Sequence, residues 1–369
     1  MSNNFIKHIT LENYKSIKKL DLELKPLNVL IGSNGAGKSN FISFFNLLLL
    51  IKFGDEIFNN KIVGAYGGVD AVLYFGRKHS KYLDFSLVIN DTDYMNDAEL
   101  YIKLMPTVDN KFYFDMKTVT TDSRYMHLWD MHSSINRSSN EQNSSENYST
   151  INDFFNRLDS IQAYHFNDTS DTSPLKSTVA NNDNLFLRAD GQNLSCMIKL
   201  IHDKHPDYYR MIVNTIRNVV PDFHEFVIRQ NSDFLTLEWF NKNNVDIPWK
   251  AHYLSDGSLR FIALAVLLLM PNELQPQVII IDEPEIGLHP TAINVLSGLI
   301  KRASLERQVI ISTQSAELLS QFEPNDVIVV DKKGKSSEFK RLNNADLAKW
   351  LEDYTLGELW ETNIIGGRP

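Results

Sequence analysis

The octapeptide "GSNGAGKS" at 32–39 constrains this chain more than any other stretch. It follows "LNVLI" at 27–31, an apolar run that reads as a buried strand. It precedes "SNFISFFNLLLLIKF" at 39–53, a helical pattern with apolar residues on too many sides for a surface element. Strand, G-x-x-x-x-G-K-[ST] loop and helix in that order describe a phosphate-binding loop. The glycines let backbone N–H groups curl around phosphate oxygens, and the helix N-terminus adds positive potential. Gly32, Asn34, Gly35, Gly37, Lys38, Ser39 and Asn40 are the expected nucleotide-binding positions, with Lys38 reaching the β and γ phosphates and Ser39 ligating Mg²⁺.

A phosphate loop leaves several nucleotide-hydrolysing lineages open, and "VIIIDEPEIGLHP" at 278–290 narrows them. Its apolar strand ends in Asp282 and Glu283. In that arrangement an aspartate holds Mg²⁺ through water and the adjacent carboxylate polarises the attacking water. Two acids at the end of a buried strand repel each other and resist desolvation unless a metal is present. A guanine-reading N/T-K-x-D pattern is absent, "NKNN" lacking the acid, so ATP is favoured over GTP.

The rest of the chain supplies the setting. Its 369 residues with 43% hydrophobic content suffice for one large domain or two lobes. A single cysteine, Cys196, excludes an internal disulfide framework and points to a reducing, cytoplasmic compartment. The longest apolar run, "FIALAVLLLM" at 261–270, is about half a membrane span, and the N-terminus lacks a signal-peptide core, so no membrane role is expected. A net charge of -9 argues against a wholly basic nucleic-acid surface, leaving nucleic acid possible but unsupported.

Strands are expected near 5–11, 18–24 and 27–31, then an antiparallel meander from "LDFSLVIN", "AELYIKLM" and "KFYFDMKTV" between about 80 and 130. Residues 133–150, mostly Ser and Asn, read as a mobile loop, and 151–240 read as largely helical, most clearly in "NLSCMIKLIHDKHPDYYRMIVNTIRNVV", which ends at Pro221 and is followed by strand-like "EFVIRQ" and "FLTLEWF". From Ser255 the pattern alternates helix, strand, helix, strand, helix, strand, which implies a parallel sheet with crossover helices.

A third motif, "YLSDGSLRF" at 253–261, completes the set. Its segment Leu254, Ser255, Asp256, Gly257 and Ser258 resembles the signature of ABC ATPases, LSGGQ, departing from it at Asp256 and Ser258. Ser255 and the Gly257 backbone at a helix start make an anion site suited to a γ-phosphate. With "ITLENYKSIKKLDLELKPLNVLIGSNGAGKSN", "DEPEIGLHP" and the tail "WLEDYTLGELWETNIIGGRP", the chain resembles the SMC/RecF-like branch. Within that branch it looks like the compact predicted ATPases akin to the overcoming-lysogenization-defect proteins, without a Toprim nuclease. The resemblance implies an α/β, two-lobed ABC-type head with a mixed sheet, an antiparallel meander and a short helical insert. Lobe I would span 1–130, the flexible loop and insert 131–240, and lobe II 241–369.

In that family the strand after the acids ends in a switch histidine, T-H-S, where this chain has Thr313, Gln314 and Ser315. The resemblance therefore puts Gln314 beside the γ-phosphate, donating through its amide and without an imidazole's titration. It also draws attention to His289 at a subunit interface or a helix start, to Lys15 and Ser16 near the nucleotide, and to Arg77 reading phosphates or bracing the insert. Two histidines, His202 and His205, read as a solvated helix end rather than a metal site, and "YMHLWDMH" at 125–132 as core, hairpin edge or partner patch.

The resulting expectation is a slow Mg·ATP-dependent ATPase that closes into a head-to-tail ATP-sandwich dimer. Lys38, Ser39, Asp282, Glu283 and Gln314 act on one nucleotide while Ser255 and Gly257 reach it from the second copy. The resemblance implies a sensor or regulator, in antiphage defence beside a co-encoded effector protein. The alternatives are a repair-like ATPase acting on DNA and a slow-turnover assembly scaffold.

Overall fold

A computed structural model describes residues 6–53, 55–91, 96–121, 124–127 and 157–368. The Ser/Asn-rich stretch 133–150 lies outside the described residues, as does "YMHLWDMH" beyond the strand Arg124–His127. Two compact units emerge, one from Met1–Ile161, Asp326–Leu342 and Ile365–Pro369, the other from Gln162–Asn325 and Asn343–Ile364.

In the first unit, six strands form an antiparallel sheet in the order Ile17–Glu23, Ile6–Tyr14, Leu83–Asp91, Asn96–Pro106, Phe112–Thr121 and Arg124–His127. The expected meander is present, and its cause is the period-two pattern that puts Phe85, Leu87, Leu100, Ile102 and Leu104 wholly inside. The helix Lys38–Leu50 packs on this layer through Phe44, whose ring meets Phe85 edge-on at 5.0 Å. As its all-round apolar pattern predicts, it buries Phe41, Ile42, Phe44, Phe45, Leu47 and Leu48. The fully buried strand Leu27–Ile31 runs parallel to Val327–Lys333, which turns back antiparallel as Ser336–Arg341. This hairpin brings residues about three hundred positions downstream against the phosphate loop.

In the second unit, Val278–Asp282 and Gln308–Thr313 are parallel and in step, so Asp282 lies opposite Ser312. The crossover helix Pro290–Ala303 joins them, as the alternating pattern requires. The helix Asp256–Leu269 is buried at every position from Leu259 to Leu269. A small antiparallel sheet follows the order Phe223–Phe226, Glu238–Asn241, Asn244–Lys250.

The helices expected before Pro221 and the strands expected after it are present, and the expectation of a largely helical 151–240 is corrected between 165 and 193. Among the described residues only the helices Leu194–Lys204 and Pro206–Val219 span more than a turn or two there. Between 165 and 193 the chain is rich in Asp, Asn, Ser and Thr, which bond their own backbone instead of sustaining a helix. Ser173 Oγ donates to the Asp168 carbonyl, and Asn193 Nδ2 donates to the carbonyls of Asp183 and Phe186.

Candidate functional site

Close approach explains the glycines of the phosphate loop. A Cβ on Gly32 would stand 2.3 Å from the Val330 carbonyl oxygen, and one on Gly37 would stand 2.2 Å from Ser337 Oγ. Gly37, at φ 122°, caps the helix Lys38–Leu50 without a side-chain hydrogen bond, so first-turn amides lack that satisfaction. Lys38 is 5% exposed, and its ammonium donates to the carbonyls of Gly32 at 2.6 Å and Ser33 at 3.2 Å. Asn34, Gly35 and Ser39 are exposed. An uncapped helix start, an ammonium folded onto the loop and an exposed hydroxyl form a donor set that fits a polyphosphate and its magnesium.

A chain of hydroxyls clasps this loop. Asn40 Nδ2 donates to Ser16 Oγ at 2.7 Å, Ser16 Oγ shares a hydrogen bond with Ser337 Oγ at 2.8 Å, and Ser337 Oγ donates to the Ala36 carbonyl. Ser16 thus touches an expected nucleotide-binding residue. Lys15 instead donates to Ser43 Oγ at 2.8 Å and lies over the Tyr66 ring, and burial lowers its ammonium's pKa. Sequence reasoning missed Ser337, because nothing in "KGKSSEFK" marks it until the hairpin pairs.

The second unit assembles the acids. Asp282 accepts a hydrogen bond from Ser312 Oγ of the parallel strand. Glu283 adopts the left-handed conformation at φ 49°, and its carboxylate accepts from the Gln314 side-chain amide. A non-glycine residue held there is strained, a cost that clusters at functional sites. Glu285, which the sequence reading passed over, is 7% exposed and accepts from Thr313 Oγ1 at 2.6 Å and the Gln314 backbone N–H at 3.0 Å. Burial pushes its carboxyl above the usual carboxylate range.

Ser255 caps the helix Asp256–Leu269, accepting from the Ser258 backbone N–H at 3.2 Å, and both Ser255 and Asp256 are exposed. Arg260, one turn further on, is 5% exposed and donates to the carbonyls of Phe166, Asn167 and Ile286. It ties the helix to the loop following the acids, and burial lowers its pKa. His289 is exposed and caps the helix Pro290–Ala303, its Nδ1 accepting from the Thr291 N–H at 3.4 Å.

Other flagged side chains have local partners. Arg77 pairs with Asp70 at 2.7 Å and donates to the Thr107 carbonyl, holding the Asp70 carboxyl below the usual range. His202 bonds Asp203 and meets the Tyr209 ring edge-on. Among the described residues, no group of three or more His, Cys, Asp or Glu could hold a metal ion, and no helix is long and apolar enough to cross a membrane.

A family model described as "AAA domain, putative AbiEii toxin, Type IV TA system" matches residues 115–320, and another described as "AAA domain" matches 8–205. A search of curated proteins finds no match. Among solved structures, an Smc head bound to the C-winged helix domain of ScpA is 15% identical, covers 94% of this chain and 99% of its own, and superposes with TM-score 0.60. The Smc head with extended coiled coil derived from Pyrococcus furiosus is 16% identical over 95% of this chain and 99% of its own, at TM-score 0.54. The head derived from Pyrococcus yayanosii is 14% identical over 95% and 99%, at 0.53. At such identities the likeness is one of fold. Each family match covers more than half of the sequence and the fold is that of Smc heads, so the chain belongs to the AAA-domain family.

Proposed function

We propose that this protein hydrolyses Mg·ATP within a head-to-tail dimer that closes on ATP and opens on hydrolysis, acting as a sensor or regulator. Lys38 binds phosphate, and the amides from Gly35 to Asn40 surround it. Ser39 and, through water, Asp282 would hold Mg²⁺, which when bound would neutralise phosphate charge. Glu283 takes the proton of the attacking water, and Gln314 donates to the γ-phosphate oxygen. Ser255 and the Gly257 backbone complete the nucleotide site of the opposite copy.

The observation that carries this reading is the hydrogen bond from the Gln314 side-chain amide to the Glu283 carboxylate. This contact supports Gln314 as the switch residue and Glu283 as the base, one donor serving the carboxylate before ATP arrives and the phosphate afterwards. The exposed Ser255 at a long helix's N-terminus supports the composite site. The matched description, which names a putative AbiEii toxin and a Type IV TA system, supports a role in a system of that kind, with a second protein as partner.

Light scattering with nucleotide binding tests the mechanism. Glu283→Gln should bind Mg·ATP, stall cleavage and convert monomers to dimers only with ATP. Adding Ser255→Arg should abolish that dimerisation while retaining ATP affinity. An oligomer indifferent to both ATP and Ser255→Arg contradicts the composite site.

A further inference from the structure

Gln314 is held at two points by two acids of one short segment, "DEPE" at 282–285. Its backbone N–H donates to Glu285 Oε1 at 3.0 Å and its side-chain amide to Glu283 Oε1. The same Glu285 oxygen takes the Thr313 hydroxyl at 2.6 Å. Thr313 Oγ1 in turn accepts the Ser315 N–H at 3.0 Å, and Ser315 Oγ caps the next helix by accepting from Leu318 N–H at 3.1 Å. One carboxylate oxygen therefore organises the whole bend by which the strand Gln308–Thr313 gives way to the helix Ala316–Leu319.

This arrangement is costly as a packing device. Glu285 is 93% inaccessible in its fold, being 7% exposed, and its second oxygen, Oε2, has no hydrogen-bond partner among the described residues. A leucine would fill comparable space without that desolvation. What a leucine lacks is an acceptor for the two donors at 313 and 314.

We propose that Glu285 is a positioning residue: by accepting from Thr313 and the Gln314 main chain, it fixes the strand end from which the Gln314 amide reaches Glu283. It acts on the reaction only through Gln314. The inference rests on the proposed roles of Glu283 and Gln314, and it adds a residue that the ATPase motifs do not assign.

A double-mutant cycle on the full chain tests it. Glu285→Leu keeps bulk and loses the acceptor, so kcat should fall roughly 10-fold with KM for ATP within about 2-fold. Glu285→Gln retains an acceptor oxygen and should restore most of kcat. In a Gln314→Ala background, Glu285→Leu should cause no further loss, because the two residues act as one unit. Additive losses, or equal losses in the Leu and Gln variants, overturn the proposal. Hydrogen exchange at the Gln314 amide reads the tether without nucleotide. Protection in wild type and Glu285→Gln that disappears in Glu285→Leu supports it, and equal exchange in all three overturns it. A wild type that shows this protection pattern but no ATP turnover would overturn the proposed function and leave the tether standing.

Discussion

Gly257 lies so close to Gly287 that a Cβ at 257 would stand 2.3 Å from the Gly287 carbonyl oxygen. The first turn of the helix carrying Ser255 is thereby set against the loop that follows Asp282 and Glu283. Arg260 reinforces the contact from the next turn by donating to Ile286 O. Gly257→Ala must shift backbone against backbone, and should destabilise the protein by about 2 kcal/mol. Thermal denaturation checks this, and an unchanged Tm would refute the close approach.

Lys38→Ala removes the ammonium that bridges the phosphate loop's own carbonyls and, on the proposed reading, a phosphate charge. ATP affinity should fall about 30-fold, equivalent to about 2 kcal/mol for a charge-assisted hydrogen bond. Calorimetric titration measures it, with circular dichroism to confirm an intact fold. Unaltered affinity would remove the site from this loop.

Ser337→Ala cuts the clasp between Ser16, Ser337 and the Ala36 carbonyl. The loss should be about 1 kcal/mol of stability per hydrogen bond. ATP affinity should weaken as the loop gains freedom, whereas Ser336→Ala nearby should change affinity little. Equal ATP affinity in the wild type and Ser337→Ala would show that the loop holds its shape without the hairpin.

Gln314→Ala should lower turnover, and Gln314→His should keep or raise it, because an imidazole can also donate at this strand end. Single-turnover hydrolysis at saturating ATP separates the three proteins. Identical rates would mean that Gln314 takes no part in cleavage.

The buried Glu285 should leave a pH signature. Its folded-state pKa is raised by burial, so the folded protein keeps a proton that the unfolded chain releases near the ordinary Glu value of about 4.3. Stability from this group is therefore present below that pH and is lost as pH rises toward the folded-state pKa. Glu285→Gln does not titrate. Its stability relative to wild type should climb from acid toward neutral pH in denaturant titrations, and a constant difference would contradict the raised pKa.

Local pattern made part of this protein legible. The apolar strand Leu27–Ile31, the glycine loop after it and the apolar helix Lys38–Leu50 were legible because each is a short-range signal. The strand ending in Asp282 and Glu283 is equally local, and the meander follows from period-two alternation. The helical reading of 151–240 failed between 165 and 193 because side-chain-to-backbone bonds from Asp168, Ser173 and Asn193 compete with a helix in ways that periodicity does not register.

The amino-acid sequence by itself determined which chemistry this chain carries: a lysine and hydroxyl on a glycine loop, two acids at a strand end, and a glutamine at the end of the next strand. Only the tertiary structure decided what those groups touch. It brought Ser337 to Gly37 from three hundred residues away, set Arg260 on three carbonyls, and gave one oxygen of Glu285 to Thr313 and Gln314. The reason is physical: hydrophobic periodicity selects elements and faces, but a buried polar atom's partner is chosen by the packing of segments remote in sequence, where an unmet hydrogen bond is costly enough to select one arrangement.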